Sequence, residues 1–217
     1  MIVDHRDITS LFIELDEIIE TCVPVYLIGG GAMMKHGVKN QTKDIDLVVR
    51  NAEDYETLFL ALKKIGFRSI SPEAQYGRLE LSQVLVRDDY QIDLFNRTVC
   101  GKLHLSEGMI SRSKQESFLK NIGLHLCALE DILIFKSVTE RGGDREDAIN
   151  IIRNYPVRWD LVVSEIKYQV SVGEDVWITW MAAFFDELTY RSDPIEALKE
   201  IDELSDRYFE RLELEKP

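Results

Sequence analysis

The sequence predicts a mixed α/β core followed by a helical C-terminal region. Two observations lead there. Over residues 1–127, short apolar runs of the kind that form buried strands stand between apolar stripes with helical spacing. From Leu129 onward only the helical spacing persists, and acidic residues come into excess. The expected division is an α/β core over 1–127 and an acidic helical region over 128–217.

Taken in order, Ile8, Leu11, Phe12, Leu15, Ile18 and Ile19 form a helical stripe between acids, a core-facing first helix stopped by Pro24. Val25-Tyr26-Leu27-Ile28 reads as a buried strand ended by Gly29, Gly30 and Gly31. A short helix over 32–36 follows, closed by Gly37. After a polar turn, residues 44–49 alternate and then become β-branched, which predicts a strand. Tyr55, Leu58, Phe59, Leu62 and Ile65 give the next helix, ending at Gly66. Leu79, Leu81, Val84, Leu85 and Val86, then Asp88-Asp89, then residues 90–95 read as a hairpin. Short strands are expected near 117–119 and 124–127. Helices follow over 129–139, from an Asp144 N-cap to Pro156, and over 159–170, 176–190 and 195–214. The acids of the last one (Glu196, Glu200, Asp202, Glu203, Asp206 and Glu210) read as a solvated face.

Composition narrows the function classes. The 217 residues carry a formal net charge of −13 and are 45% hydrophobic, as in an ordinary globular protein. No apolar run approaches the roughly 18 residues of a membrane span, and the N-terminal residues lack a signal-peptide pattern, so a cytoplasmic protein is expected. Cys22, Cys100 and Cys127 are odd in number and widely spaced. That argues against a disulfide framework or a cysteine zinc site and for three small buried side chains. A broad nucleic-acid platform is also disfavoured, because phosphate binding draws on a Lys/Arg surplus. The charge is uneven, however: residues 1–127 hold 15 basic and 18 acidic side chains, and 128–217 hold 11 and 21.

Three features point to chemistry. Three glycines between a strand and a helix let the backbone approach an anion. They satisfy neither the P-loop, since Ala32-Met33-Met34 follows Gly31, nor the dinucleotide fingerprint, whose third glycine would be Met34. In Asp44-Ile45-Asp46, the two carboxylates lie two residues apart on a strand and project to one side. Placed in a largely apolar run they call for a cation, and hard oxygen ligands suit Mg²⁺. Asp93, in another apolar run, would bring a third carboxylate if its strand lies beside the first. Three converging carboxylates fit two metal ions, one activating a nucleophilic oxygen and one holding a triphosphate. His5, His36, His104 and His125 show no metal spacing, and His36 reads as a surface residue. Lys136, on an apolar helix, is either a snorkelling side chain or a cation aimed at an anion. Arg141 with Asp144 and Asp147 can equally be a helix-end salt bridge and cap.

Leu27-Ile28-Gly29-Gly30-Gly31-Ala32-Met33 followed by Thr42-Lys43-Asp44-Ile45-Asp46-Leu47-Val48-Val49 resembles the glycine-plus-D-x-D signature of the DNA polymerase β-type nucleotidyltransferase superfamily. Within it, the run Ala128-Leu129-Glu130-Asp131, Lys136, Arg141, Asp144 and Asp147 is similar to AbiEii/MenT-type nucleotidyltransferases of toxin–antitoxin systems. The likeness covers roughly residues 25–155. It implies a mixed-sheet nucleotidyltransferase core in which Gly29, Gly30, Asp44 and Asp46 hold a magnesium–NTP, with Asp93 as third carboxylate and Lys136 on the phosphates. It further implies that Gly31, Lys43, Arg141, Asp144 and Asp147 belong to the nucleotide site. Two positions depart from the pattern: Gly31 stands where Thr or Ser is usual, and Ala128 where Ser is common.

The resulting expectation is transfer of NMP from an NTP to an acceptor hydroxyl, with Mg²⁺ or Mn²⁺ as cofactor. The acceptor can be a tRNA end, a protein or a small molecule. Lys35, Lys39, Lys43, Arg50, Arg97, Lys102, Arg112, Lys114 and Lys120 keep RNA open despite the total charge. The alternative is a catalytically silent nucleotide-binding or antitoxin-like protein whose acidic helical half docks a basic protein partner.

Overall fold

The computed structural model describes residues 4–70, 83–116, 119–139, 141–192 and 194–215. The chain divides into two compact units, Met1–Ala128 and Leu129–Pro217.

The first unit begins with helix α1 (His5–Asp16), where Asp4 and Asp7 form a reciprocal capping box. Its Ile8, Leu11, Phe12 and Leu15 are buried, as the 3.6-residue stripe requires. Strand β1 (Val23–Ile28) runs directly into α2 (Gly29–Lys35). Then come β2 (Ile45–Val49), α3 (Ala52–Lys64), β3 (Arg68–Ile70), β4 (Gln83–Arg87) and β5 (Tyr90–Asn96). A small ribbon of β6 (Thr98–Val99) and β7 (Leu103–His104), helix α4 (Glu107–Arg112), β8 (Lys114–Gln115) and β9 (Ile122–Leu126) complete the unit.

Among the described residues, seven strands form one sheet in the order β3-β4-β5-β2-β1-β9-β8. It is mixed: β1 pairs antiparallel with β2 and parallel with β9, while β2 pairs parallel with β5. The central strands are apolar on both sides, and α1, α2 and α3 pack in this unit against them or each other. Asn51 caps α3 and Ser106 caps α4 through their side chains. Asp16, the last residue of α1, accepts hydrogen bonds from the N–H groups of Lys120, Asn121 and Ile122, anchoring the start of β9.

The second unit is helical: α5 (Leu129–Ser137), α6 (Gly142–Asn154), α7 (Trp159–Val172), α8 (Trp177–Thr189) and α9 (Leu198–Leu214). Every residue of α5 is buried, and α6, α7 and α8 pack around it. On α9 only Ile201 and Ser205 are buried, and Glu200, Glu203, Asp206 and Glu210 face solvent as expected, whereas Asp202 is half-buried and burial raises its pKa. A mixed α/β core with C-terminal helices is therefore the architecture. None of the described helices is long and apolar enough to cross a membrane.

Several local expectations need correction. Pro24 does not stop α1, which closes at Glu17; it lies inside β1. The strand tolerates it because the pairing with β2 begins only at Val25, so no partner on that side needs a proline N–H. The second short helix starts at Gly29 rather than Ala32, so the glycines are its first turn. The strand expected near 117–119 is found instead at Lys114–Gln115, paired with β9; Leu119 is outside any strand, and residues 117 and 118 lie outside the described residues, as do Leu79 and Leu81. Asp144 is not the cap of α6, whose N-cap is Arg141 without a side-chain bond. Of the three cysteines, all free, only Cys127 is buried, whereas Cys22 is exposed and Cys100 half-buried. Cys22 sits in the loop before β1.

Candidate functional site

The site is built where β2 lies between β1 and β5. The register sets Ile28 opposite Asp46 and, across the parallel pair, Asp46 opposite Asp93. Partners in register share a face of the sheet, so the Asp46 and Asp93 side chains project together. Asp44, at the approach to β2, completes the group: one carboxylate oxygen from each of Asp44, Asp46 and Asp93 lies within 4.8 Å of the others. Asp93 is 3% exposed, and its Oδ1 accepts a hydrogen bond of 3.0 Å from Gln91 Nε2. Gln91 is two residues away on the same strand face, a support that the sequence reading missed and that its i, i+2 spacing could have indicated.

The glycines serve this group directly. Gly29 has φ +57°, and a Cβ placed on it would stand 2.1 Å from Asp46 Oδ2. The glycine is required twice, by its left-handed backbone and by the carboxylate lying against it. At Gly30 a Cβ would meet Thr42 Oγ1 at 2.3 Å, with Lys39 Nζ at 3.6 Å. Gly31 faces the core, against Leu27 and Ile8. The three glycines thus have different tasks: Gly29 and Gly30 border polar groups, and Gly31 is a packing position. Gly37, at φ +76°, closes α2, with its N–H and that of Val38 bonded to Met34 and Met33 carbonyls.

The neighbouring basic residues are distributed unequally. Lys35 donates to Thr9 Oγ1 of α1 at 3.0 Å, and burial lowers its pKa. Arg50 forks onto Glu107 at 2.9 and 3.2 Å. Lys43 is exposed beside Asp44. Only half-exposed, His36 bonds through Nε2 to the Cys127 carbonyl at 2.8 Å, so it is a structural link rather than a free surface residue.

In the helical unit, Lys136, Asp144 and Asp147 come together. Lys136 Nζ donates to Asp144 Oδ1 at 2.6 Å and to Asp147 Oδ2 at 2.8 Å, and its side chain is 7% exposed. Thr139 Oγ1 adds a bond to Asp144 Oδ2. Burial alone would lower the ammonium pKa, but Asp144 and Asp147 outweigh it and the net direction is upward. The anions facing this lysine are the chain's own carboxylates, which overturns the snorkelling reading. Arg141 is exposed at the start of α6.

Chemically, the first unit offers three hard oxygen donors in one place, a bare glycine backbone beside one of them, and an ammonium and a hydroxyl over the next glycine.

No protein-family model matches the chain. No curated protein matches it. Among solved structures, it is similar to the crystal structure of ANT(2")-Ia in complex with adenylyl-2"-tobramycin, at 15% identity and a TM-score of 0.45, over 82% of this chain and 97% of that one.

Proposed function

We propose that the protein is a divalent-metal-dependent nucleotidyltransferase that moves a nucleoside monophosphate from an NTP to an acceptor hydroxyl and releases pyrophosphate. The observation that supports this is the convergence of Asp44, Asp46 and Asp93 beside Gly29 and Gly30. Three carboxylates this close repel one another unless a cation is shared between them. Their all-oxygen donor set fits Mg²⁺ or Mn²⁺. When bound, such a cation supplies Lewis-acid charge at the reacting phosphate and the leaving oxygen.

Asp44 and Asp46 hold the cation. Asp93, steadied by Gln91, orients the acceptor hydroxyl and takes its proton. The acceptor oxygen bonds to the α-phosphorus while the bond from that phosphorus to the bridging oxygen breaks, and the electron pair leaves with pyrophosphate. Gly29 and Gly30 make room for the polar side chains that line the site, and Lys43 stands at the exposed side. The resemblance to AbiEii/MenT-type enzymes would add Lys136, Arg141, Asp144 and Asp147. The proposal stands on the first unit without them.

The test is to incubate purified protein with Mg²⁺ and each labelled NTP and to score pyrophosphate release and labelled product, with tRNA, protein and small hydroxyl compounds as acceptors. Metal-dependent turnover that disappears in Asp44→Asn/Asp46→Asn is expected. Unchanged turnover in that variant would overturn the metal assignment. If the acceptor is RNA, its affinity falls steeply with added salt, whereas a small acceptor is much less sensitive.

A second reading, a silent antitoxin-like protein that binds a basic partner, draws on α9. Phe209 is 52% and Leu214 86% exposed among its acids. One stable basic partner together with no turnover on any NTP would favour it.

A further inference from the structure

We infer that Lys39 and Thr42 form the polyphosphate-binding edge of the site, one supplying the counter-charge and the other a hydroxyl donor over Gly30. The inference rests on the nucleotidyltransferase reading and goes further by giving roles to two residues outside Gly29–Gly31 and Asp44-Ile45-Asp46.

Gly30 is buried and carries no side chain, and the space a side chain would fill is taken by two polar groups. Thr42 Oγ1 stands 2.3 Å and Lys39 Nζ 3.6 Å from where its Cβ would be. The adjacent glycine has the Asp46 carboxylate in the corresponding place, 2.1 Å from its Cβ position. Passing along the backbone from Gly29 to Gly30, the lining therefore changes from an anionic metal ligand to a cation and a hydroxyl. A metal-bound polyphosphate needs that sequence of groups: carboxylates for the cation at one end, and N–H or O–H donors for the oxygens that the cation leaves uncovered.

Of the neighbouring cations, Lys35 donates to Thr9 and Arg50 to Glu107, and the Lys39 ammonium lies 3.6 Å from the Cβ position of Gly30. Lys39 is half-buried, which strengthens its attraction for an anion relative to a fully solvated lysine. Thr42 is 6% exposed, so its hydroxyl is held in place before any ligand arrives. The polar turn between α2 and β2 thereby becomes a working part of the site.

The experiment is equilibrium binding in Mg²⁺, by calorimetry, of ATP, AMP and inorganic tripolyphosphate. Wild-type protein, Lys39→Ala, Lys39→Arg, Thr42→Val and Thr42→Ser are compared, with Lys64→Ala as an exposed control and thermal unfolding of each variant. Lys39→Ala is expected to weaken ATP and tripolyphosphate by the same factor, roughly tenfold or more, as loss of a hydrogen bond to a charged group does. Lys39→Arg restores most of that loss, and AMP binding is unchanged throughout. Thr42→Val, which keeps the volume, weakens tripolyphosphate, and Thr42→Ser, which keeps the hydroxyl, does not. Wild-type-like tripolyphosphate binding by Lys39→Ala and Thr42→Val would overturn the inference and leave the nucleotidyltransferase reading standing. Equal losses in Thr42→Val and Thr42→Ser would reduce Thr42 to a packing role and also overturn it. A wild-type protein that binds no magnesium–nucleotide would sink both together.

Discussion

The Asp46 carboxylate rests against the bare Cα of Gly29, so closely that a Cβ there would lie 2.1 Å from Oδ2. The glycine and the acid are therefore one device, although 17 positions separate them in the chain.

Gly29→Ala should for that reason act on Asp46. The alanine must adopt φ +57° and also displace the carboxylate, and the left-handed backbone alone costs about 1–2 kcal/mol. Urea unfolding should show a loss of at least that size, accompanied by loss of Mn²⁺ binding. Gly31→Ala presses on the flexible end of Leu27, at 2.9 Å, with Ile8 in ordinary contact at 3.5 Å, and should cost about 1 kcal/mol with metal binding retained.

Asp46→Asn tests the ligand set formed by three carboxylates that lie within 4.8 Å of one another, through the rise in Tm that Mg²⁺ produces, about 2–4 °C for each kcal/mol gained. The wild-type protein at a Mg²⁺ concentration of 100 Kd should gain about 2.7 kcal/mol, and the variant almost nothing. A variant that still shows the full Mg²⁺-induced Tm shift would exclude Asp46 as a ligand.

Lys136→Met should be the most disruptive single change in the helical unit. It removes the ammonium that holds Asp144 and Asp147 at 2.6 and 2.8 Å, and breaking a buried ion pair in this way costs about 3–5 kcal/mol. The lysine's folded pKa is raised, so its contribution is fully present below the unfolded value of about 10.4 and is lost as pH climbs through the higher folded value. Denaturation at pH 8 and across the alkaline limb should show that dependence in the wild type and its absence in the variant.

Asp16 governs the opposite limb. Burial pushes its carboxyl upward, but the N–H groups of Lys120, Asn121 and Ile122 outweigh this and hold it below its ordinary value. Its contribution is therefore present above the unfolded pKa of about 3.9 and is lost as pH falls through the folded one. Asp16→Ala should cost about 0.5–1.5 kcal/mol at pH 7, since solvent can in part replace these hydrogen bonds, and progressively less toward pH 2.

Much of the central sheet is legible in the sequence because β1, β2 and β5 are long enough to show apolar runs or alternation, and the shared face of Asp44 and Asp46 follows from their spacing. The adjacency of Asp93 is a matter of strand order, which spacing can only suggest. Elements such as β6, β7 and α4 are too short for any period to register, and β3, Arg-Ser-Ile with every residue exposed, has no buried face to announce it. The environment of Lys136 is hidden for another reason. Its partners lie on the next helix, and a pattern read along one helix does not reveal what the neighbouring one presents. Thr42 and Lys39 look like ordinary turn residues until the turn is folded back over Gly30.

The parallel register that matches Asp46 with Asp93 bears on local opening as well as on chemistry. Strand β5 is paired on one side with β4 and on the other with β2, so the β4–β5 hairpin can lift away from the sheet only by drawing those two carboxylates apart. A ligand shared by both acts as a rivet across that seam. Amide hydrogens of Ile92, Leu94 and Phe95 would exchange with solvent more slowly once it is in place, so occupancy of the site becomes readable in the stiffness of the hairpin that carries Asp93.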